Sequence, residues 1–134
     1  MQDYRKIRAY PESLELVAEV YRLTGKLPYH QRFTLASQLQ RAVVSVPMNI
    51  AEGTGRSTRP DFARFIDQAL GSTNEVECGL QISIRLGYLQ QPDIRPVLVR
   101  VENVRRMLCG FVKTLRFGRR QSMKKRPALS VRET

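Results

Sequence analysis

The sequence predicts an all-α protein, and two observations support this class. Apolar residues recur at spacings of three and four along most of the chain, which is the period of an amphipathic helix. Pro and Gly lie between these periodic segments, whereas an all-β chain would have them at short, regular intervals. The 134 residues can bury one core without disulfide bonds. We therefore expect an antiparallel four-helix bundle whose helices run alternately up and down.

The first two helices are predicted over residues 11–24 and 34–52. In the first, Leu14, Val17 and Tyr21 share one face, which we expect to enter the core. Pro47 lies inside the second helix and is expected to kink it, because proline cannot donate a backbone hydrogen bond. The predicted core residues of the second helix are Leu35, Leu39, Ala42, Val46 and Ile50.

The third helix is predicted to begin after Thr58, a favourable N-cap residue, and to end near Gly87. The fourth is predicted to begin at Asp93 and to end at Gly118. The core residues predicted for the third helix are Phe62, Ile66, Ala69, Thr73, Val76, Leu80 and Ile84. Those predicted for the fourth are Val97, Val101, Val104, Leu108, Val112 and Leu115.

A polar stripe runs along the second helix beside its apolar face, and a matching stripe runs along the third. Facing residues of an antiparallel helix pair have a constant sum of residue numbers. That rule pairs Ser45 with Ser72, Arg41 with Glu75, Gln38 with Gly79 and Glu52 with Arg64. The predicted network comprises Gln38, Arg41, Ser45, Asn49, Glu52, Ser72 and Glu75.

This network has two interpretations. It can be a structural network that fixes the register of the helices, or a ligand or catalytic site built from Arg41, Asn49, Glu52 and Glu75. We favour the structural interpretation, because the sequence contains no nucleophile–base pair and no metal-ligand spacing beside these residues. We accordingly expect no enzymatic activity, no metal and no cofactor.

The charge is strongly positive and uneven along the chain. The net charge is +11, and residues 111–134 hold eight of the 23 basic side chains but one of the 12 acidic ones. We divide the chain into a helical domain, residues 1–117, and a basic tail, residues 118–134, which we expect to be disordered because it lacks an apolar period. The candidate nucleic-acid-binding residues are Arg5, Lys6, Arg8, Arg56, Arg59, Arg119, Arg120, Lys124, Lys125 and Arg126.

Composition also excludes several classes of protein. No apolar run approaches the roughly 18 residues typical of a membrane span, so we expect no membrane association. One histidine and two cysteines without a CxxC pair argue against a zinc site. The first residues lack the apolar segment of a secretory signal, so a cytoplasmic location is expected.

The segment from Arg41 to Gly53, followed by Gly55, Arg56 and Ser57, resembles the signature of the bacterial four-helix-bundle proteins of the 23S rRNA intervening-sequence family. The likeness continues through the Phe62-x-x-Phe65, Gly71-Ser72-x-x-Glu75 and Leu86-Gly87-Tyr88-Leu89 motifs. It implies a left-handed antiparallel bundle that assembles as a ring-like homopentamer. The family is similar to the accessory variability proteins of diversity-generating retroelements, which bind nucleic acid and a reverse transcriptase.

Together these observations lead to two main functional hypotheses. The first is a non-enzymatic homo-oligomer that binds nucleic acid through its basic surface and tail, and RNA is expected as the ligand in preference to DNA. Contacts to phosphates are expected to dominate, because no motif combining aromatic and basic residues for base stacking is evident. The alternative is a structural adaptor that recruits a protein such as a reverse transcriptase, with the positive charge incidental. An enzyme based on the polar network is the least favoured hypothesis.

Overall fold

A computed structural model describes the backbone of residues 3–129 and the side chains of residues 3–118. Within this range the protein is all-α, with no β-strand. Its elements are a 3₁₀ turn at Tyr4–Lys6, α1 at Ala9–Thr24, a 3₁₀ turn at Tyr29–Gln31, α2 at Leu35–Thr54, α3 at Arg59–Arg85 and α4 at Gln91–Leu129. Each α-helix packs on the next, and α4 also packs on α1, around one shared apolar core.

The apolar face predicted for α1 is wrong at Leu14 and Tyr21, whereas Val17 is half-buried and packs against the core. Leu14 and Tyr21 are 44% and 46% exposed, and the side chains that enter the core are those of Leu16, Val20 and Leu23. Both sets of residues have helical spacing, so periodicity alone could not distinguish them. The structure therefore leaves an apolar stripe of α1 on the protein surface.

Side-chain capping hydrogen bonds fix where α3 and α4 begin. The Thr58 hydroxyl accepts a hydrogen bond from the backbone N–H of Asp61 at 3.2 Å, which confirms the predicted N-cap. The backbone N–H of Gln90 donates to the Asp93 carboxylate at 3.2 Å. This capping-box contact places the start of α4 at Gln91, slightly before the predicted position.

The second helix ends later than predicted because Gly53 continues it. Gly53 is buried against α3, where an added Cβ would lie 2.7 Å from Cδ1 of Phe62. The absence of a side chain therefore lets α2 and α3 approach closely at this point. Pro47 lies inside the helix and is buried.

The predicted end of α4 coincides with a break in the helix at Gly118, where φ is 70° and ψ is −168°. Helical backbone geometry resumes beyond it and continues to Leu129. The expectation that the tail lacks regular structure is thus corrected for residues 119–129. Arg, Lys, Gln and Met have favourable helix propensities even without an apolar stripe. Residues 130–134 lie outside the described part of the chain.

The core predicted for α2, α3 and α4 is confirmed apart from Leu35 and Ile84, which are half-buried. All six residues predicted for α4 are buried. None of the helices described between residues 3 and 129 combines the length and apolar character needed to cross a lipid bilayer.

Candidate nucleic-acid interface

The first group of predicted binding residues lies in the N-terminal segment, which contacts α2 through the 3₁₀ turn at Tyr4–Lys6. Arg5, Lys6 and Arg8 are exposed. The Asp3 carboxylate accepts hydrogen bonds from the Arg5 side chain, at 3.0 Å and 3.1 Å, and from its backbone N–H. These hydrogen bonds lower the pKa of Asp3. Arg5 is therefore partly neutralised, whereas Lys6 and Arg8 have no ion-pair partner among residues 3–118.

Arg56 is more constrained than the sequence suggests. Its Nη2 donates to the Glu52 carboxylate at 3.1 Å, and its guanidinium lies 5.2 Å from the ring centroid of Phe65. Its Nε is buried and has no hydrogen-bond partner in the described structure. The side chain is thus held at the α2–α3 turn by the Glu52 carboxylate and the Phe65 ring.

Arg59 connects the bundle to the tail. It is exposed at the start of α3, and a Cβ added to Gly118 would lie 2.8 Å from Nη1 of Arg59. The chain therefore leaves the bundle beside the N-terminus of α3, where free backbone N–H groups favour anions. The predicted tail residues Arg119, Arg120, Lys124, Lys125 and Arg126 have side chains outside the described residues.

Two further basic residues lie along α4, before its end at Gly118. Arg106 and Lys113 are exposed and seven residues apart, so they lie on one face of the helix. Neither forms an ion pair with a described carboxylate. They were missed because the core pattern of α4 dominated its interpretation, although the spacing of these two positive charges is visible in the sequence.

The predicted network between α2 and α3 is confirmed at its centre. The hydroxyls of Ser45 and Ser72 are 2.7 Å apart, as the facing rule requires. The Asn49 side-chain amide donates to both the carbonyl and the hydroxyl of Ser45 at 2.9 Å. Ser72 also donates to the carbonyl of Gln68 at 3.1 Å. These bonds connect the two helices through neutral groups.

The charged members of the network are arranged more loosely. Gln38, Arg41 and Glu75 are exposed and line a small cavity of about 140 Å³ together with Ser45 and Gly79. Arg41 and Glu75 therefore lie beside the same cavity, as their predicted facing requires. No ion pair joins them among the described residues.

The predicted pairing of Glu52 with Arg64 is wrong. Glu52 accepts instead from Arg56, four residues later in the sequence, and Arg64 donates to Asp61 at 2.9 Å. Each charge has an opposite charge on its own side of the α2–α3 connection at the three- or four-residue spacing of helical neighbours. The local partner is closer than the one across the turn.

Ion pairs elsewhere hold the helices to one another. Arg100 of α4 donates to Glu12 and Glu19 of α1 at 2.7 Å and 2.9 Å, and the bond to Glu19 raises the pKa of Arg100. Arg105 of α4 donates to Glu77 of α3 at 2.6 Å. Within residues 3–118, no three His, Cys, Asp or Glu side chains are placed to hold a metal ion.

Comparison with known proteins now adds to this geometry. A family model described as 23S rRNA-intervening sequence protein matches residues 5–110. The chain belongs to this family. The matched range contains the whole polar network and the basic residues up to Arg59, whereas the tail beyond Gly118 lies outside it.

A solved structure supports the fold assigned to this intervening-sequence family member. It is a protein of unknown function from the S23 ribosomal protein family of Bacteroides thetaiotaomicron, with 26% sequence identity and a TM-score of 0.73. The match covers 79% of the present chain and 96% of that protein. Among curated proteins, no match is found.

Proposed function

We propose that this protein is a non-enzymatic, oligomeric nucleic-acid-binding protein of the cytoplasm. The observation that carries the proposal is the closeness of the Arg59 guanidinium to Gly118, so that the basic tail starts beside an exposed arginine at the N-terminus of α3. Cations at this end and in the tail would contact phosphates together. Such contacts increase affinity without reading sequence.

RNA is the proposed ligand in preference to DNA. The matched family is described by its connection to intervening sequences of 23S rRNA, so RNA is the first nucleic acid to test. The basic side chains on this surface suit recognition of the phosphate backbone and of RNA shape, which is how structured RNA is commonly bound.

We further infer an antiparallel bundle that assembles as a ring-like homopentamer. The antiparallel arrangement is supported by the α2–α3 contacts, in which a later residue of one helix meets an earlier residue of the other: Ser45 meets Ser72, and Gly53 meets Phe62. Self-association is supported by exposed apolar side chains such as Leu14 and Met48, which are 44% and 64% exposed. The subunit number rests on the family resemblance.

The exposed apolar residues also favour one alternative, an adaptor that recruits a protein such as a reverse transcriptase. The adaptor hypothesis predicts a protein partner that remains bound after nuclease treatment. The nucleic-acid hypothesis predicts instead that RNA binds the purified protein directly. The affinity should depend on Arg5, Lys6, Arg8 and Arg59, which we call the basic end of the bundle.

The decisive experiment is a salt series of RNA-binding constants for full-length variants. One variant replaces Arg5, Arg8 and Arg59 by Gln, and the matched control replaces Arg22, Arg85 and Arg95, which are also exposed but belong to the opposite end. Because each phosphate contact contributes about 0.7–0.9 to the slope of log K against log salt, loss of three contacts should lower the slope by up to about 2.1–2.7 in the first variant, whereas the control should keep the wild-type slope. Equal effects of the two variants would contradict the proposed site.

The tail is tested separately in the full-length chain. Replacing Arg119, Arg120, Lys124, Lys125 and Arg126 by Gln should reduce both affinity and salt dependence. Deleting residues 118–134 should have the same effect. An unchanged slope in both variants would exclude a role of the tail in RNA binding.

A further inference from the structure

The connection between α1 and α2, at the end of the bundle away from Gly118, carries two strongly exposed aromatic rings. Tyr29 and Phe33 are 77% and 79% exposed. The Arg32 guanidinium lies close to both rings, with Cζ at 3.5 Å from the Tyr29 centroid and 4.5 Å from the Phe33 centroid. Arg32 also donates to the carbonyl of Tyr29 at 2.9 Å. Aromatic and basic side chains are therefore grouped at this connection, although no such motif is evident in the sequence.

Phe33 also borders a groove between α2 and α3. The groove has a volume of about 440 Å³ and includes Ile82, Leu86, Gln38 and Arg41 in its lining. Ile82 and Leu86 are 43% and 54% exposed, so the groove has an apolar surface open to solvent. Its volume lies within the range of small-molecule sites.

The charge of this groove favours an anionic ligand. None of its lining residues is acidic, and Arg41 is exposed at one side of it. Neither Arg41 nor the adjacent Arg32 forms an ion pair with a carboxylate among residues 3–118. The acidic residue Glu75 lines the smaller cavity, which also includes Arg41.

We propose that this groove binds an unpaired base of single-stranded RNA. The base stacks on the exposed ring of Phe33, the Gln38 amide is available to hydrogen-bond the edge of the base, and Arg41 and Arg32 contact flanking phosphates. This inference rests on the proposed RNA-binding function but concerns a different site and a different mode of recognition. The basic end binds phosphates, whereas the groove distinguishes unpaired bases from duplex.

An apolar protein surface without acidic residues is the less suitable occupant of the groove. An apolar protein surface laid on the groove would desolvate Arg41 without supplying a negative charge, and an unpaired buried charge is strongly destabilising. A nucleotide supplies an aromatic face and a phosphate within the same unit. The combination of Phe33, Arg32 and Arg41 therefore matches a nucleotide more completely.

The test compares a ten-nucleotide oligouridine with duplex RNA of the same length. The full-length variants are Phe33→Ala and Phe33→Leu, with Val99→Ala as the control, because Val99 is an exposed apolar residue of α4 outside the groove. Both Phe33 variants should weaken oligouridine binding about tenfold or more, since a single stacked base contributes that much, and leave duplex binding within twofold of the wild type. Phe33→Leu keeps an apolar side chain and removes the π face.

Each other outcome contradicts the inference in a distinguishable way. Unchanged oligouridine binding, or equal loss for oligouridine and duplex, would exclude base stacking at Phe33. A lower oligomer mass for the Phe33 variants in light scattering would identify the groove as a contact between copies of this chain. If the wild type binds neither RNA, the proposed function itself fails, whereas duplex binding that depends on Arg59 without a Phe33 effect overturns only this site.

Discussion

Replacing Gly53 by Ala tests the close contact between α2 and α3. A Cβ at this position would lie 2.7 Å and 2.9 Å from the Phe62 ring and 3.2 Å from Cβ of Phe65. The Phe62 ring is 7% exposed and packs edge-on against Phe111 at 5.3 Å, so it has little room to move. The added methyl group must therefore displace a packed aromatic ring or separate the helices.

The expected magnitude follows from two opposing terms. Overpacking of a filled core costs about 1–3 kcal/mol. Exchanging Gly for Ala inside a helix gains up to about 1 kcal/mol, and less in the last turn, where Gly53 lies. We expect Gly53→Ala to lower the free energy of unfolding by about 1–2 kcal/mol.

Gly71→Ala is the matched control. Gly71 lies inside α3, and an added Cβ there would meet nothing within 4 Å. This substitution therefore keeps the gain in helix propensity and lacks the steric cost. We expect it to raise the free energy of unfolding by about 0.5–1 kcal/mol.

Urea unfolding measured at one protein concentration checks both values, because association with other chains would also change the apparent stability. The urea concentration at the midpoint of unfolding should be lowest for Gly53→Ala, intermediate for the wild type and highest for Gly71→Ala. If Gly53→Ala were as stable as the wild type while Gly71→Ala gained stability, the α2–α3 approach described above would be wrong.

Two further substitutions test the contacts between helices by urea unfolding. Arg100→Met should lower the free energy of unfolding by about 1 kcal/mol, because it removes the ion pairs with Glu12 and Glu19, which are largely screened from solvent. The same substitution is then made in a background where Glu12 and Glu19 are replaced by Gln. If Arg100→Met costs as much there as in the wild type, the ion pairs contribute nothing to stability. Ser72→Ala should cost about 1 kcal/mol by removing the bond to Ser45, and a double-mutant cycle with Ser45→Ala should show coupling, whereas strictly additive losses would contradict that bond.

Much of the fold could be predicted from sequence because helix period and capping are local properties. Thr58 marks the start of α3 by its own side chain, and the core of α4 follows one uninterrupted apolar stripe. The pairing of Ser45 with Ser72 was also predictable, since two long helices joined by a short turn have one register that aligns their polar stripes.

The errors arise where two local solutions compete. Leu14 and Leu16 both belong to stripes with helical spacing in α1, and only packing against the other helices decides which is buried. Glu52 has two possible basic partners, Arg56 and Arg64, and in the structure it pairs with Arg56, the nearer one in the sequence. The cluster around Arg32 was missed because stacking depends on the conformation of a short connection, which carries no periodic signal.

We propose that an oligomer of this chain binds RNA directly. Native mass spectrometry of the purified full-length protein, alone and with a structured RNA, tests this most directly. We expect one defined oligomer, a pentamer, and a complex of that oligomer with RNA. The complex should be lost when Arg5, Arg8 and Arg59 are replaced by Gln and kept in the control in which Arg22, Arg85 and Arg95 are replaced. A monomer that forms no RNA complex near physiological salt would contradict it.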